Sequence, residues 1–379
     1  MPIYISMIVL TVFFGVLAQR TTNNKVTDNT VIQPNINDTK EIKEQRNMVF
    51  LLLILGVFVF VTGFQSGFGD TTSYLSQFMN LKYSFEDSLV HSWDNKSPLF
   101  QIYMALIKSF TQDGQWLLLI TAFITNLLVW NVMRKESASI PVACYLYICS
   151  GLCLWAMNGI RQYLAATILF AAYKLIIDGK WIKWFLLLFI VYFIHTSVVF
   201  LVPIYFLYRK KPWQKTTLLL IVFVLLIGIF YTQFSNSFFE IAQGTVFEEY
   251  KTQVAEVAST KIIRTAFMMI PAILSFIYRK EIEKTNSPLL FLSSNAALLS
   301  AGIYFLASIG AGNLIGRIAV YSDLFVYIVL MPYILKTISI SRYNYVGWIY
   351  LIAAGVFYWY QMFIVYSGVW WSVWLGWHF

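Results

Sequence analysis

Two short stretches, Asn158-Gly159-Ile160-Arg161-Gln162-Tyr163 and Phe193-Ile194-His195-Thr196-Ser197, decide how this chain is read. Each places an ionisable side chain inside sequence that is otherwise apolar. A charged group at the centre of a bilayer costs about 2.5–3.5 kcal/mol on insertion scales, so such residues are usually kept for a task. Arg161 lies one turn into an apolar helix, and His195 falls midway along the apolar run 182–207. At the same depth and on the same side they can share one cavity. The expectation is that they do, and that the cavity is an active site.

The surrounding composition sets the fold class. The chain of 379 residues is 59% hydrophobic and only 12% charged, with a mean hydropathy of +0.67. Soluble domains are nearer a quarter charged. The expected fold is therefore all-α and polytopic, a single integral membrane domain over residues 1–379. The net charge of +9 resides in short loops between apolar runs, where Lys and Arg set orientation in the membrane. That distribution argues against nucleic-acid binding. Cys144, Cys149 and Cys153 share one apolar segment without a fourth ligand nearby. They read as small buried hydrophobes, neither a metal site nor a disulfide framework. Residues 2–18 lack a basic leader and a small-residue cleavage site, and are taken as the first span.

Loop charge then orders the chain. Basic residues in the loop 19–46 place it in the cytoplasm and the N-terminus outside. Full spans are expected near 2–18, 47–64, 115–133, 139–157, 159–177, 215–232, 261–278, 287–309, 315–336 and 345–366. External segments are expected at 65–114 and at 233–260, the latter amphipathic with Glu240, Glu248 and Glu249. Within the first, the apolar run 99–110 is too short to span and predicts an interfacial or re-entrant helix. The run 182–207 has basic residues at both ends, Lys180 and Lys183 before it and Arg209-Lys210-Lys211 after it. One crossing would leave the second cluster outside. Two half-helices folding back near His195 keep both inside, so a hairpin is expected. The total is about ten full crossings plus the hairpin. The tryptophans from Trp370 to Trp377 suit a membrane-interface belt.

On this topology Asp70, Arg161, His195, Arg264 and Arg317 all fall on the outer side. Arg161 and Arg317 each start an inward helix and together could clamp a diphosphate. A guanidinium is planar, permanently charged and forms two parallel bonds to phosphate oxygens. The plainer alternative is snorkelling to lipid phosphates. His195 can accept a proton from a sugar hydroxyl, or can be a neutral ring bonded to a hairpin backbone, with Thr196 and Ser197 capping the second half-helix. Asp70 reads by composition as a turn or an Asx cap, and functionally as a carboxylate that positions a sugar or an arginine. Tyr74 and Tyr321 could stack on sugar faces, and Gln162 could donate to sugar or phosphate. His91 and His378 read as surface residues. No Walker A motif, dinucleotide fingerprint, zinc-binding HExxH or nucleophile elbow occurs. That argues against a nucleotide-powered pump, and metal-independent chemistry without a cofactor is expected.

At these same residues the sequence resembles the EpsG family of Wzy-like polysaccharide polymerases. The resemblance is carried by Gly69-Asp70-Thr71 with Tyr74, by Gly159-Ile160-Arg161-Gln162-Tyr163-Leu164-Ala165-Ala166, by Ile194-His195-Thr196-Ser197 followed by Pro203, and by Arg317 with Tyr321. It runs from about residue 45 to 340. It implies a GT-C-like fold and an enzyme of the bacterial plasma membrane, acting at the extracytoplasmic face. The implied reaction joins oligosaccharide repeats carried on undecaprenyl diphosphate, donor and acceptor alike, into capsule or exopolysaccharide. Membrane lipids and other polysaccharide-assembly proteins are the implied partners. Members commonly carry an arginine shortly before the Gly-Asp-Thr turn, where this chain has Gln65, and an amide supplies no fixed charge. A glycan ligase and a transporter or flippase of the lipid-linked sugar are the rival readings. A ligase gives a single transfer in place of a ladder, and a flippase moves substrate without changing its length.

Overall fold

A computed structural model describes residues 2–23, 46–65, 67–230, 237, 240, 241 and 262–365. Most of the expected loop 19–46, nearly all of 233–260, and the Trp370–Trp377 tail with His378 lie outside the described residues. Every described element is a helix. Gln115–Glu136, Pro288–Ile309, Ile315–Ile340 and Asn344–Val365 are long and apolar enough to cross a membrane. Shorter apolar helices occupy Ile3–Gln19, Met48–Gly63, Ile140–Cys149, Ile160–Ala171, Trp181–Tyr192, Thr196–Tyr208, Leu219–Ile229 and Ile262–Ile277. Each run expected to span therefore holds a helix, and four of those helices reach spanning length. Two expected spans, 139–157 and 159–177, are shorter than the hydropathy suggested for a local reason. The chain breaks after Cys149 and makes the four-residue helix Leu152–Trp155, and the next helix, Ile160–Ala171, breaks at 172–173 before the short helix Lys174–Ile177. Helix Ile140–Cys149 has ten residues, and at 1.5 Å per residue such a helix is about 15 Å long.

The described residues pack as two compact units, one from 1–91, 101–171 and 327–379, the other from 92–100 and 172–326. In the first, Pro2–Asn23 packs on Met48–Gly63 and Ile140–Cys149, and Met48–Gly63 packs on Gln115–Glu136. Gln115–Glu136 in turn contacts Ile160–Ala171. Apolar side chains cover these faces, so buried polar groups mark where position is specified. Trp130 Nε1 donates to the Leu51 carbonyl at 2.7 Å. The Arg46 guanidinium donates to the Arg134 and Ser137 carbonyls at 2.6 and 2.7 Å, closing the C-terminus of Gln115–Glu136. Burial pushes the Arg46 pKa down to about 10, partly opposed by Glu136, so it stays charged at neutral pH. The three cysteines are buried free thiols. The run expected to be interfacial or re-entrant forms the helix Pro98–Lys108. Its last residue reaches back to the preceding helix Thr71–Met79, where Lys108 Nζ donates to the Phe78, Met79 and Leu81 carbonyls. A cation there also complements the negative end of the helix dipole.

In the second unit, Pro288–Leu306 is the central helix and contacts Ile262–Ile277, Leu201–Tyr208, Lys215–Ile229 and Val320–Phe325. Its start is fixed by Ser287, whose hydroxyl accepts from Leu290 N, with Pro288 in the first turn. The expected hairpin forms here. Trp181–Tyr192 leads to a turn at 193–195, a 3-10 segment Thr196–Phe200 and the returning helix Leu201–Tyr208. Phe185 meets the rings of Tyr205 and Phe206 at 5.4 and 6.4 Å, so the legs lie side by side and the run is not a single crossing.

Candidate functional site

The first unit holds Asp70, Tyr74, Arg161 and Gln162. Gly69 has φ +57°, in the left-handed region that glycine adopts without strain, and a Cβ there would stand 2.1 Å from Asn158 Oδ1. That close approach lets Asn158 Oδ1 accept the Asp70 N–H at 2.9 Å. Thr71 Oγ1 lies 2.6 Å from the Met157 carbonyl and 3.0 Å from Gln65 Oε1, while Gln65 Nε2 donates to Met157 O at 3.1 Å. The Gly-Asp-Thr turn is thus clasped to the residues that lead into Ile160–Ala171. The expected Asx cap at Asp70 is not made: the residue sits at φ −77°, ψ 0°, and its side chain does not cap Thr71–Met79. Tyr74 is buried on the packed face of the same helix with Thr71 and Phe78.

Arg161 occupies the first turn of Ile160–Ala171, a helix held by a buried polar chain. Tyr163 Oη is 2.6 Å from Tyr147 Oη, Tyr147 Oη donates to Asn126 Oδ1 at 3.1 Å, and Asn126 Nδ2 donates to Thr62 Oγ1 at 2.9 Å. Gln162 is buried at 4% exposure. The half-buried Arg161 has its Nε enclosed, with no hydrogen-bond partner among the described residues. A cation at a helix N-terminus also opposes the positive end of the dipole. Local structure therefore gives no reason for an arginine here. Together the guanidinium and the helix start favour an anion.

The second unit holds His195, Arg264, Arg317 and Tyr321, and the short helix Val320–Phe325 carries the last of them. Ser197 Oγ lies 2.9 Å from Tyr321 Oη and 2.8 Å from His195 Nδ1, so it bridges two of the expected residues. His195 also caps the 3-10 segment, its Nδ1 accepting from Ser197 N at 3.3 Å. In a neutral ring the proton then resides on Nε2. The ring is thus bonded to the hairpin backbone, but it caps the 3-10 segment, and the second half-helix Leu201–Tyr208 starts at Phe200 without a side-chain cap. Ser322 Oγ is 2.8 Å from Tyr208 Oη on the returning hairpin leg. Asp323 accepts from Ser300 Oγ and, at 3.0 Å, from Tyr304 Oη. The Arg264 guanidinium lies 5.7 Å from the Tyr304 ring centroid. Three consecutive residues of one helix therefore reach the hairpin turn, the hairpin leg and the central helix. Arg317 stands half-buried on the preceding turn, Gly312–Ile318, one turn before Tyr321.

Ser197 was expected only as a cap, and Ser300, Tyr304 and Asp323 were not singled out at all. Asp323 had a signal. It is the one acid in the apolar run Ile315–Ile340, and the rule that flagged Arg161 applies to it equally. Ser300 and Tyr304 had none, because hydroxyls in apolar helices are common and only their aim distinguishes them.

A family model described as the EpsG family matches residues 48–374, most of the chain. No curated protein and no solved structure matches it.

Proposed function

Because the chain belongs to the EpsG family, which is related to the Wzy-like polymerases, we propose that it polymerises oligosaccharide repeats carried on a polyprenyl diphosphate, undecaprenyl diphosphate in bacteria, at the outer face of the plasma membrane. The observation that carries this reading is Arg161: a guanidinium whose Nε is enclosed without a partner among the described residues, in the first turn of a helix where a cation is disfavoured. An anionic ligand accounts for both facts. Arg161 and Arg317 are the groups assigned to diphosphate oxygens, on which charge builds as the sugar–phosphate bond breaks.

In the proposed reaction the acceptor hydroxyl oxygen bonds to the anomeric carbon of the donor sugar, and the bond from that carbon to the diphosphate oxygen breaks. The lipid diphosphate leaves with the electron pair. The hydroxyl proton has a sink in the second unit. Ser197 Oγ lies within hydrogen-bond distance of His195 Nδ1, so a proton reaching the serine can pass to the imidazole. Asp70, which does not cap its helix, is assigned to positioning acceptor or arginine, and Arg264, Tyr74, Gln162 and Tyr321 to sugar or phosphate contacts. The energy comes from the lipid–diphosphate bond, so neither nucleotide sugar nor metal is required.

The test is chain growth by purified protein on lipid-linked repeats. Arg161→Ala and Arg317→Ala should each abolish the ladder with the protein still folded. Unchanged growth in both would remove the diphosphate assignment. A single transfer would indicate a ligase, and lipid movement without elongation a flippase.

A further inference from the structure

The base of the hairpin carries a feature that the polymerase reading does not use. An open groove of about 530 Å³ is lined by Trp181 and Phe185 from one leg and Tyr205, Phe206, Arg209 and Lys210 from the other. Four aromatic rings form its walls and two cations its rim. Trp181 and Phe206 are 58% and 61% exposed, so the walls are open to a ligand.

The cation is built in. Arg209 Nη1 donates to Tyr205 Oη at 3.1 Å, and the guanidinium carbon is 5.7 Å from the same ring's centroid. Across from it, Gly179 has φ +73°, and a Cβ on that residue would stand 2.8 Å from Arg209 Nη2. Glycine therefore permits both the turn and the seating of the guanidinium over it. Tyr205 takes one of the five N–H donors of the arginine. The charge of the segment is one-sided: between 178 and 211 the sequence has Lys180, Lys183, Arg209, Lys210 and Lys211 against one acid, Asp178, which is paired to Lys180 at 2.8 Å.

We propose that this groove binds one anionic glycerophospholipid, with its phosphodiester on Arg209 and Lys210 and the start of its acyl chains on Trp181 and Phe206. An apolar wall ending in cations fits an amphiphile whose charge sits at one end. One guanidinium and one ammonium can each take one of the two non-bridging oxygens of a phosphodiester, leaving the rim net positive. The loop charge that predicted the hairpin puts this end at the cytoplasmic leaflet, where anionic lipids are offered. The site is independent of the polymerase reading.

Full-length protein in a maltoside detergent, given equimolar phosphatidylglycerol and phosphatidylcholine, tests it by native mass spectrometry. The expected result is about a tenfold preference for phosphatidylglycerol. Lys210→Gln should reduce that preference, and Arg209→Gln with Lys210→Gln should bring it near one. Trp181→Ala should weaken retention of both lipids while leaving their ratio. Lys210 has an exposed side chain, so its variant folds even if the double variant does not. Equal retention of the two lipids by wild type, or an undiminished preference in Lys210→Gln, overturns the proposal. So does displacement of phosphatidylglycerol by millimolar inorganic phosphate, or selective retention of a polyprenyl phosphate instead.

Discussion

Substituting Gly69 tests how the Gly-Asp-Thr turn is joined to the arginine helix. A residue with a Cβ at φ +57° pays about 1–2 kcal/mol for the left-handed conformation. Its Cβ would also lie 2.1 Å from Asn158 Oδ1, so Asn158 must withdraw. Withdrawal breaks the 2.9 Å bond from Asp70 N, a bond of a kind that contributes about 0.5–1.5 kcal/mol. The two losses give about 2–3 kcal/mol for Gly69→Ala. Asn158→Ala removes the bond alone and should cost about 1 kcal/mol. In the double variant the obstruction is gone and the bond is lost only once. Its expected cost is again about 2–3 kcal/mol, not the additive value of about 3–4, an interaction of about 1 kcal/mol between neighbours.

Unfolding by denaturing-detergent titration of the protein in mixed micelles reads these differences, with chain growth on lipid-linked repeats measured in parallel. Asn158 stands three residues before Arg161, so Gly69→Ala should lower chain growth by more than its loss of folded protein accounts for. Strict additivity, or a Gly69→Ala variant as stable as wild type, would falsify the clasp.

Further outcomes follow from the second unit and from the chemistry. Asp323→Ala removes the acceptor of two interhelical hydrogen bonds, each worth about 0.6 kcal/mol on average and about 1.7 at most in a membrane protein, so stability should fall by about 1–3 kcal/mol. Tyr304→Phe removes one of the two and should cost about half as much; wild-type stability in both variants would show that the carboxylate anchors nothing. Ser197→Ala removes the hydroxyl between Tyr321 and His195, and should slow turnover about 10–100-fold with little change in apparent substrate affinity, below the roughly 10²–10⁴-fold expected for His195→Ala. If the two variants are equally impaired in affinity and unimpaired in turnover, the proton route is wrong. Chain growth should survive a chelator and need no nucleotide sugar; activity lost to the chelator and restored by a divalent cation would contradict the arginine-based scheme.

Several of these features were legible in sequence because they are violations of a uniform background. Arg161 and His195 stand out since almost nothing polar surrounds them, and the hairpin was readable from basic residues at both ends of a run that one crossing would separate. Asp323 was equally legible by that logic. What the sequence could not carry was direction. Ser197 and Tyr321 are far apart in the chain, and nothing in either neighbourhood says that one hydroxyl bridges the other to an imidazole. Asp70 is a partial case: composition offers a turn or an Asx cap, and the structure has the turn without the side-chain cap, the Asp70 N–H being taken by Asn158 from a distant segment. Helix length failed in the same way at 139–177, where hydropathy runs on through breaks made by backbone turns.

Gln65 ties the two kinds of information together. The resemblance noted from sequence puts an arginine close to this position, and an amide there reads first as a lost charge. In the folded chain the amide is fully buried and both of its ends are used, Oε1 near the Thr71 hydroxyl and Nε2 on the Met157 carbonyl. A guanidinium could make the bond to Met157 but not the acceptor contact, and the Thr71 proton has nearer acceptors in the Met157 and Phe68 carbonyls at 2.6 and 2.8 Å. Buried at the same place without a counter-charge it would also carry a solvation cost of several kcal/mol. The neutral amide is thus suited to closing the turn onto the segment before Arg161. On the polymerase reading, the fixed charge that this neighbourhood needs then falls to Arg161 itself, whose Nε is enclosed with no partner among the described residues.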